Sequence, residues 1–171
     1  VQNFITNNLN TESSKLIFKG SPFSNVSIQE IAEQVVSKNK CRTKLPTWYN
    51  TANIYYPNKL NIEQTSSEIT AAYKASLVSG NTLIDLTGGF GVDCLSFSHK
   101  FKQTVHCEIN SRLSKIVHHN LKQLKIKNIR TISEDGTSTL EKSSEKFDWI
   151  YIDPSRRNDI KGKVFQLKDC L

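Results

Sequence analysis

The chain has 171 residues, 37% hydrophobic and 23% charged, enough for one well-filled core or one core with a small satellite. Its formal net charge of +7 suits a phosphate-rich partner without requiring one. No apolar run approaches the roughly 18 residues of a membrane span, the polar start Val1-Gln2-Asn3 has no signal-peptide pattern, and Cys41, Cys94, Cys107 and Cys170 form no C-x-x-C pair, so the expectation is a cytoplasmic protein with reduced thiols and no membrane contact.

The sequence starts at Val1 and contains no methionine, which suggests a segment of a longer protein. From Val1 to about Gly80 the hydrophobic period is helical. Short helices are expected around Phe4 to Leu9 and Glu12 to Phe18. A clearer one opens at Ser27, with Glu30 in capping-box position and Ile28, Ile31, Ala32, Val35 and Val36 on one face. It ends in a basic stretch, Lys38, Lys40, Arg42 and Lys44, read as a solvated helix end. Leu45-Pro46-Thr47-Trp48-Tyr49 then reads as a packed loop. A further helix is predicted to start at Thr65 and stop at Gly80, with Ile69, Ala72, Tyr73 and Leu77 as its buried face.

From Asn81 onward short apolar runs alternate with helical stretches, the pattern of a βαβ sheet. The predicted strands are Thr82–Leu86, Thr104–Glu108, Asn128–Ile132 and Phe147–Ile152. Helices are expected at Val92–Lys100, Ser111–Leu124 and Thr137–Lys142, the second burying Leu113, Ile116, Val117, Leu121 and Leu124. One crossover helix between successive strands implies a parallel sheet.

Ligands of a doubly wound sheet sit outside the carboxyl ends of its strands. After the first strand come Asp85-Leu86-Thr87-Gly88-Gly89-Phe90-Gly91, a glycine turn leading into a helix whose free N–H groups favour an anionic group. A dinucleotide fingerprint needs a third glycine where Cys94 stands, and no G-K-[ST] follows for a P-loop. The turn resembles instead the D-x-G-x-G-x-G turn of class I S-adenosylmethionine-dependent methyltransferases, with Thr87 replacing the first glycine. Glu108, about twenty residues further on, is placed to accept hydrogen bonds from ribose hydroxyls, with Ile109 beside it. Asp135 and Gly136, after the third strand, stand where this fold meets the adenine; the same pair also reads as a simple turn.

The fourth strand delivers Asp153-Pro154-Ser155-Arg156-Arg157. Amino-methyltransferases carry (D/N/S)-P-P-(Y/F/W) here, an acceptor for the substrate amine followed by a ring that stacks on the base. Asp153-Pro154 matches, whereas Ser155 replaces the second proline and Arg156 the aromatic. Arg156 is suited to stacking or to holding a phosphate. The alternative is a loop with two solvated arginines. His118 and His119 are adjacent, and His99 and His106 lack a partner pattern, so no metal site is expected. All four read as surface or satisfied histidines.

Lys44-Leu45-Pro46, Glu63-Gln64-Thr65-Ser66-Ser67-Glu68, the stretch from Asp85 to Asp93, and Asp153-Pro154-Ser155-Arg156-Arg157 together resemble a family of bacterial RNA methyltransferases with a THUMP-like domain at the C-terminal end. The turn is also similar to that of guanine-N2 rRNA methyltransferases and, more distantly, cap trimethylguanosine synthases. The resemblance implies S-adenosylmethionine as cofactor, ribosomal or transfer RNA as partner, guanine N2 as a candidate target, and Gln64 and Ser66 over the methionine end of the cofactor. It implies an α/β architecture with a helical N-terminal region over residues 1–62 and a Rossmann-like domain over residues 63–171. After about four parallel strands that sheet reads as incomplete, and its apolar last strand predicts cover by Val164-Phe165-Gln166-Leu167 or association between copies. The rival reading is a non-catalytic RNA-binding or assembly module that retains the fold.

Overall fold

Ser27 opens the longest helix by accepting a hydrogen bond from the Glu30 N–H at 3.1 Å, which satisfies one of the donors a helix start leaves free. In the computed structural model, which describes residues 1–155 and the backbone of two short strands beyond them, this helix spans Ile28–Lys44 and follows two short helices, Gln2–Asn7 (α1) and Ser13–Lys19 (α2). Ile28, Ile31 and Val35 of α3 pack with Ile5 and Leu16. The box is not closed in the usual way: the Glu30 carboxylate accepts the Tyr55 hydroxyl at 2.7 Å instead of turning back on its own helix.

Residues 45–49 differ from the loop expected of them. Pro46–Asn50 is a helix, α4, with proline in its first turn, where a missing N–H costs nothing. It carries Trp48 into the core at 2% exposure. The basic end of α3 is also more than a solvated face. Lys44 Nζ donates to the carbonyls of Ile62 and Glu63, both at 2.9 Å, and Lys40 pairs with Glu63 at 2.6 Å. These contacts hold the end of α5, Lys59–Gln64.

The helix expected from Thr65 is α6, Glu68–Ser76, capped by Ser67. Its buried face is the reverse of the expected one. Ala71 and Ala75 are buried, while Ile69, Tyr73 and Leu77 are 82%, 66% and 64% exposed. The 3.6-residue spacing fits either face. The small side chains win because α6 lies close against α7, Val92–Ser98, and an alanine pair permits that approach.

The parallel sheet is as expected: β1 Gly80–Asp85, β2 Phe101–Cys107, β3 Ile129–Ile132 and β4 Trp149–Tyr151, in the order β3-β2-β1-β4. The first two strands begin earlier than predicted and the fourth is shorter. Helix α8, Ser111–Gln123, buries Leu113, Val117 and Leu121, and α9 covers Gly136–Lys142. Residues 83 and 84 of β1 face opposite sides, following the period of a strand. Leu83 packs with Ala75, Phe97 and Phe101, and Ile84 with Val105, Cys107, Leu140 and Phe147. The largest cluster joins Trp48, Ile54, Tyr56 and Ile62 to Phe90, Val92, Leu95 and α8. A two-residue antiparallel pair, β5 Arg157–Asn158 and β6 Gly162–Lys163, lies beyond the sheet.

Among the described residues β4 pairs only with β1, and Trp149, Ile150 and Ile152 are each about half exposed. Arg156, the Val164-Phe165-Gln166-Leu167 stretch and Cys170 lie outside the described residues. No helix among those described is long and apolar enough to cross a membrane.

Candidate functional site

The carboxyl ends of β1, β2 and β4 and the start of α9 open into one cleft of about 800 Å³. Its floor is the glycine turn. Gly89 and Gly91 have φ of +53° and +82°, values glycine adopts without a Cβ penalty, and Gly91 caps α7 in the left-handed conformation. Phe90 is held from behind by Trp48, ring centroids 6.0 Å apart, so the N-terminal helices brace the turn directly.

Asp85 lies beneath this floor, 1% exposed. Its carboxylate accepts the Thr87 N–H at 2.9 Å and the Thr87 hydroxyl at 3.4 Å. Burial raises its pKa to about 7, against the opposing pull of the Thr87 bonds. The Thr87 hydroxyl in turn accepts the Asp153 N–H at 2.7 Å. Threonine in place of the first glycine therefore links the turn to the end of β4. Asp85 and Gly91 shape the cleft from below, while Thr87, Gly88, Gly89 and Phe90 line it.

Glu108 lines the cleft beside the turn and accepts the Gly89 N–H at 3.0 Å and the Asn110 N–H at 2.7 Å. Burial raises its pKa and those two backbone bonds oppose the rise. Ile109 beside it is 74% exposed. Asp135 caps α9, accepting the Ser138 N–H at 2.7 Å, and that bond holds its pKa below the ordinary carboxyl value. The next residue, Gly136, meets the backbone of Leu86 so closely that any Cβ there would overlap it. Asp135, Gly136, Glu108 and Ile109 all border the cleft.

On the far side stand the strap before α6 and the end of β4. Gln64 and Ser66 line the cleft with Asp153 and Ser155, and the Gln64 amide donates to the Ser155 hydroxyl at 3.3 Å. Pro154 does not line the cleft.

Two residues at this site escaped the sequence reading. Lys74 of α6 places its ammonium 2.6 Å from the Tyr151 hydroxyl, 3.0 Å from Asp153, 3.0 Å from Ser66 and 3.2 Å from Asp93. Burial alone would lower its pKa; the hydrogen bonds to Tyr151 and Asp153 and the charge of Asp93 outweigh burial and raise it, so it remains a cation. Asp93, quoted above only within a motif, accepts the Ser66 hydroxyl at 2.9 Å, and its other oxygen is buried without a partner among the described residues. A helical-wheel reading places Lys74 beside the expected buried stripe but gives no sign of its partners, which are 8 to 79 positions away.

His106 is also more than a satisfied histidine. It is completely buried behind the turn, with Nε2 3.2 Å from the Gly89 carbonyl and Nδ1 without a partner among the described residues. Burial lowers its pKa, so the ring is neutral. His118 and His119 contact Thr131 and the Asn53 carbonyl. Burial pushes the Cys107 thiol up to about 11 and Cys94 well above its ordinary value, which makes both poor nucleophiles. Among the described residues no cluster of His, Cys, Asp and Glu is arranged to hold a metal ion.

The family described as Conserved hypothetical protein 95 matches residues 52–168, a stretch containing the whole cleft. The chain belongs to this family. It is a family of methyltransferases, and the architecture agrees. A presumed methyltransferase from Porphyromonas gingivalis W83 superposes with a TM-score of 0.80 at 25% identity, over 99% of this chain and 42% of that one. The O-methyltransferase from Bacillus cereus, solved in complex with SAH, superposes with a TM-score of 0.53 at 13% identity, over 75% of this chain and 64% of that one; this likeness concerns the fold alone. The chain thus spans less than half the length of the P. gingivalis protein. A search of curated proteins gave no match.

Proposed function

We propose that this chain binds S-adenosylmethionine in the cleft and carries the site that transfers its methyl group to a nitrogen of a nucleobase in RNA, with guanine N2 as the favoured target. The observation that carries the reading is the convergence of Glu108, the Gly88-Gly89 turn and Asp153 on one cleft.

The residues present fit this cofactor. Glu108 lines the cleft and would hold the ribose, since a carboxylate can accept from both of its hydroxyls. Gly88 and Gly89 leave the floor free of side chains. The unpartnered oxygen of Asp93 is an acceptor for the ammonium of the methionine end. Gly136 and Ile109 supply flat and apolar surface for the adenine. When bound, the cofactor supplies an electrophilic methyl: its S–C bond breaks with the electron pair left on sulfur as the nitrogen lone pair forms the new N–C bond.

The chain's own part is orientation. Asp153 accepts an N–H of the amine, turns the lone pair toward the cleft, and receives the proton the nitrogen sheds. Its backbone is fixed by Thr87. Gln64 and Ser155 bridge the strap and the acceptor loop at the rim of the cleft. Residues 63–171 form the cofactor-binding domain on this reading, and residues 1–62 brace it. The RNA substrate is supported by the net charge of +7 and by the Asp153-Pro154-Ser155-Arg156-Arg157 sequence.

Calorimetric titration with S-adenosylmethionine tests the first step. Micromolar binding that is lost in Glu108→Ala supports it, and a wild-type chain that takes up no heat sinks it. Transfer of a tritiated methyl to total bacterial RNA tests the second, and label appearing in protein or small molecules instead of RNA overturns the substrate class.

A further inference from the structure

Among the described residues gathered at the acceptor side of the cleft, Lys74 is the one cation. It contacts two carboxylates at once: Oδ2 of Asp93 at 3.2 Å and Oδ2 of Asp153 at 3.0 Å. The same ammonium reaches the strap through Ser66 and the sheet through the Tyr151 hydroxyl. Four elements or loops therefore meet on one atom: the strap, α7, β4 and the loop after it.

Asp153 needs such an anchor. Its side chain is 57% exposed, and an exposed carboxylate otherwise samples several rotamers. Lys74 and Tyr151 both engage Oδ2, at 3.0 and 3.3 Å, and leave the second oxygen without a hydrogen bond among the described residues. Among the described residues the two carboxylates and one ammonium sum to a single negative charge, which favours a cationic nitrogen over a neutral one during transfer.

We propose that Lys74 is a positioning residue for the methyl acceptor: it locks Asp153 in one rotamer with one oxygen free for the substrate amine, and ties that oxygen's position to the strap through Ser66 and Asp93. The inference rests on the methyltransferase reading above. Lys74 itself touches neither methyl nor nitrogen. It acts on transfer through Asp153, so its loss slows transfer by more than any change in cofactor affinity through Asp93 and Ser66 accounts for.

The test uses the full chain and four variants, Lys74→Met, Lys74→Arg, Asp153→Asn and the double variant Lys74→Met with Asp153→Asn. Calorimetry with S-adenosylmethionine and single-turnover transfer of tritiated methyl to total bacterial RNA are measured on each. Lys74→Met is expected to slow transfer in the cofactor-saturated chain by about a hundredfold, the scale of a small misplacement, beyond any loss of cofactor affinity or thermal midpoint that follows from leaving Asp93 unpaired. Lys74→Arg, which keeps the charge, recovers most of the rate. The double variant is no slower than Asp153→Asn, because a residue that acts only through Asp153 has nothing left to act on.

Wild-type transfer in Lys74→Met overturns the inference, and so do losses that multiply in the double variant or a fall in cofactor affinity that accounts for the lost rate. A wild-type chain that binds no cofactor, or labels no RNA, overturns the functional reading and the inference with it. The wild-type arms therefore separate the two failures.

Discussion

The imidazole of His106 occupies the space that a side chain at Gly88 would need: a Cβ built there overlaps the ring. The floor of the cleft and the second strand are thus in direct contact, with no layer between them. Gly88→Ala is expected to destabilise the chain by about 1–3 kcal/mol, the cost of overpacking. Gly136→Ala meets backbone instead of a side chain and costs more, because Leu86 cannot rotate away. Gly89→Ala has no atom within 3.4 Å and pays only for its positive φ, about 1–2 kcal/mol. Urea unfolding of the three variants checks the order, and equal losses at all three positions contradict it.

Asp85 predicts a pH dependence of stability. Its folded pKa is about 7, raised from 3.8 by burial. Below pH 4 the carboxyl is protonated in both states and there is no penalty. Between 4 and 7 the folded chain holds a proton that the unfolded chain has lost, so stability falls as pH rises, by a total on the order of 4 kcal/mol. Asp85→Asn removes this slope. His106, buried neutral, acts in the opposite sense as pH falls through its unfolded value, so the quantity to measure is the difference in thermal midpoint between wild type and variant. That difference should widen in favour of the variant from pH 5 to pH 8; a constant difference refutes the account.

For Glu108 the expectation separates binding from folding. Its carboxylate makes two backbone bonds that Glu108→Gln retains in part. Loss of a charge-assisted bond to ribose is worth about 1.5–3 kcal/mol, so S-adenosylmethionine binding should weaken by roughly 10- to 100-fold. Calorimetry reads the change, and equal affinity in wild type and variant excludes Glu108 from the cofactor site.

Tyr151→Phe deletes the 2.6 Å bond to Lys74 but keeps the ring that packs on Phe97, centroids 4.8 Å apart. Stability should change by about 1 kcal/mol or less, cofactor binding should be unaltered, and methyl transfer should slow less than in Lys74→Met. A greater slowing in Tyr151→Phe would shift the anchoring role from the ammonium to the phenol.

Trp48 tests whether the N-terminal helices fold with the sheet. It is 2% exposed and shares a cluster with Phe90, Leu95 and α8. Trp48→Ala should cost about 3–5 kcal/mol, and the chain should still unfold in one transition followed equally by circular dichroism and tyrosine fluorescence. Two transitions, with the sheet unaffected by the substitution, would show that the brace is independent.

Much of the scaffold was legible because it is governed by local rules. Ser27 and Asn110 cap helices as their residue types dictate, the twenty-residue rhythm of strand and helix produces the parallel sheet, and the glycines at 89 and 91 take the positive φ that only glycine adopts freely. The sequence by itself therefore determined the α/β architecture and brought Glu108, Asp135, Asp153 and the glycine turn to one edge. It did not determine which face of α6 is buried, since Ile69-Tyr73-Leu77 and Ala71-Ala75 satisfy the same period and only the closeness of α7 decides between them. Nor did it reveal that Asp85 supports the floor from beneath, that Thr87 joins Asp85 to Asp153, that His106 backs Gly88, or that Lys74 gathers Ser66, Asp93, Tyr151 and Asp153. Each of these depends on distances between groups far apart in the chain, and periodicity carries no information about such distances. They are fixed only when the strands pair and the helices close over them.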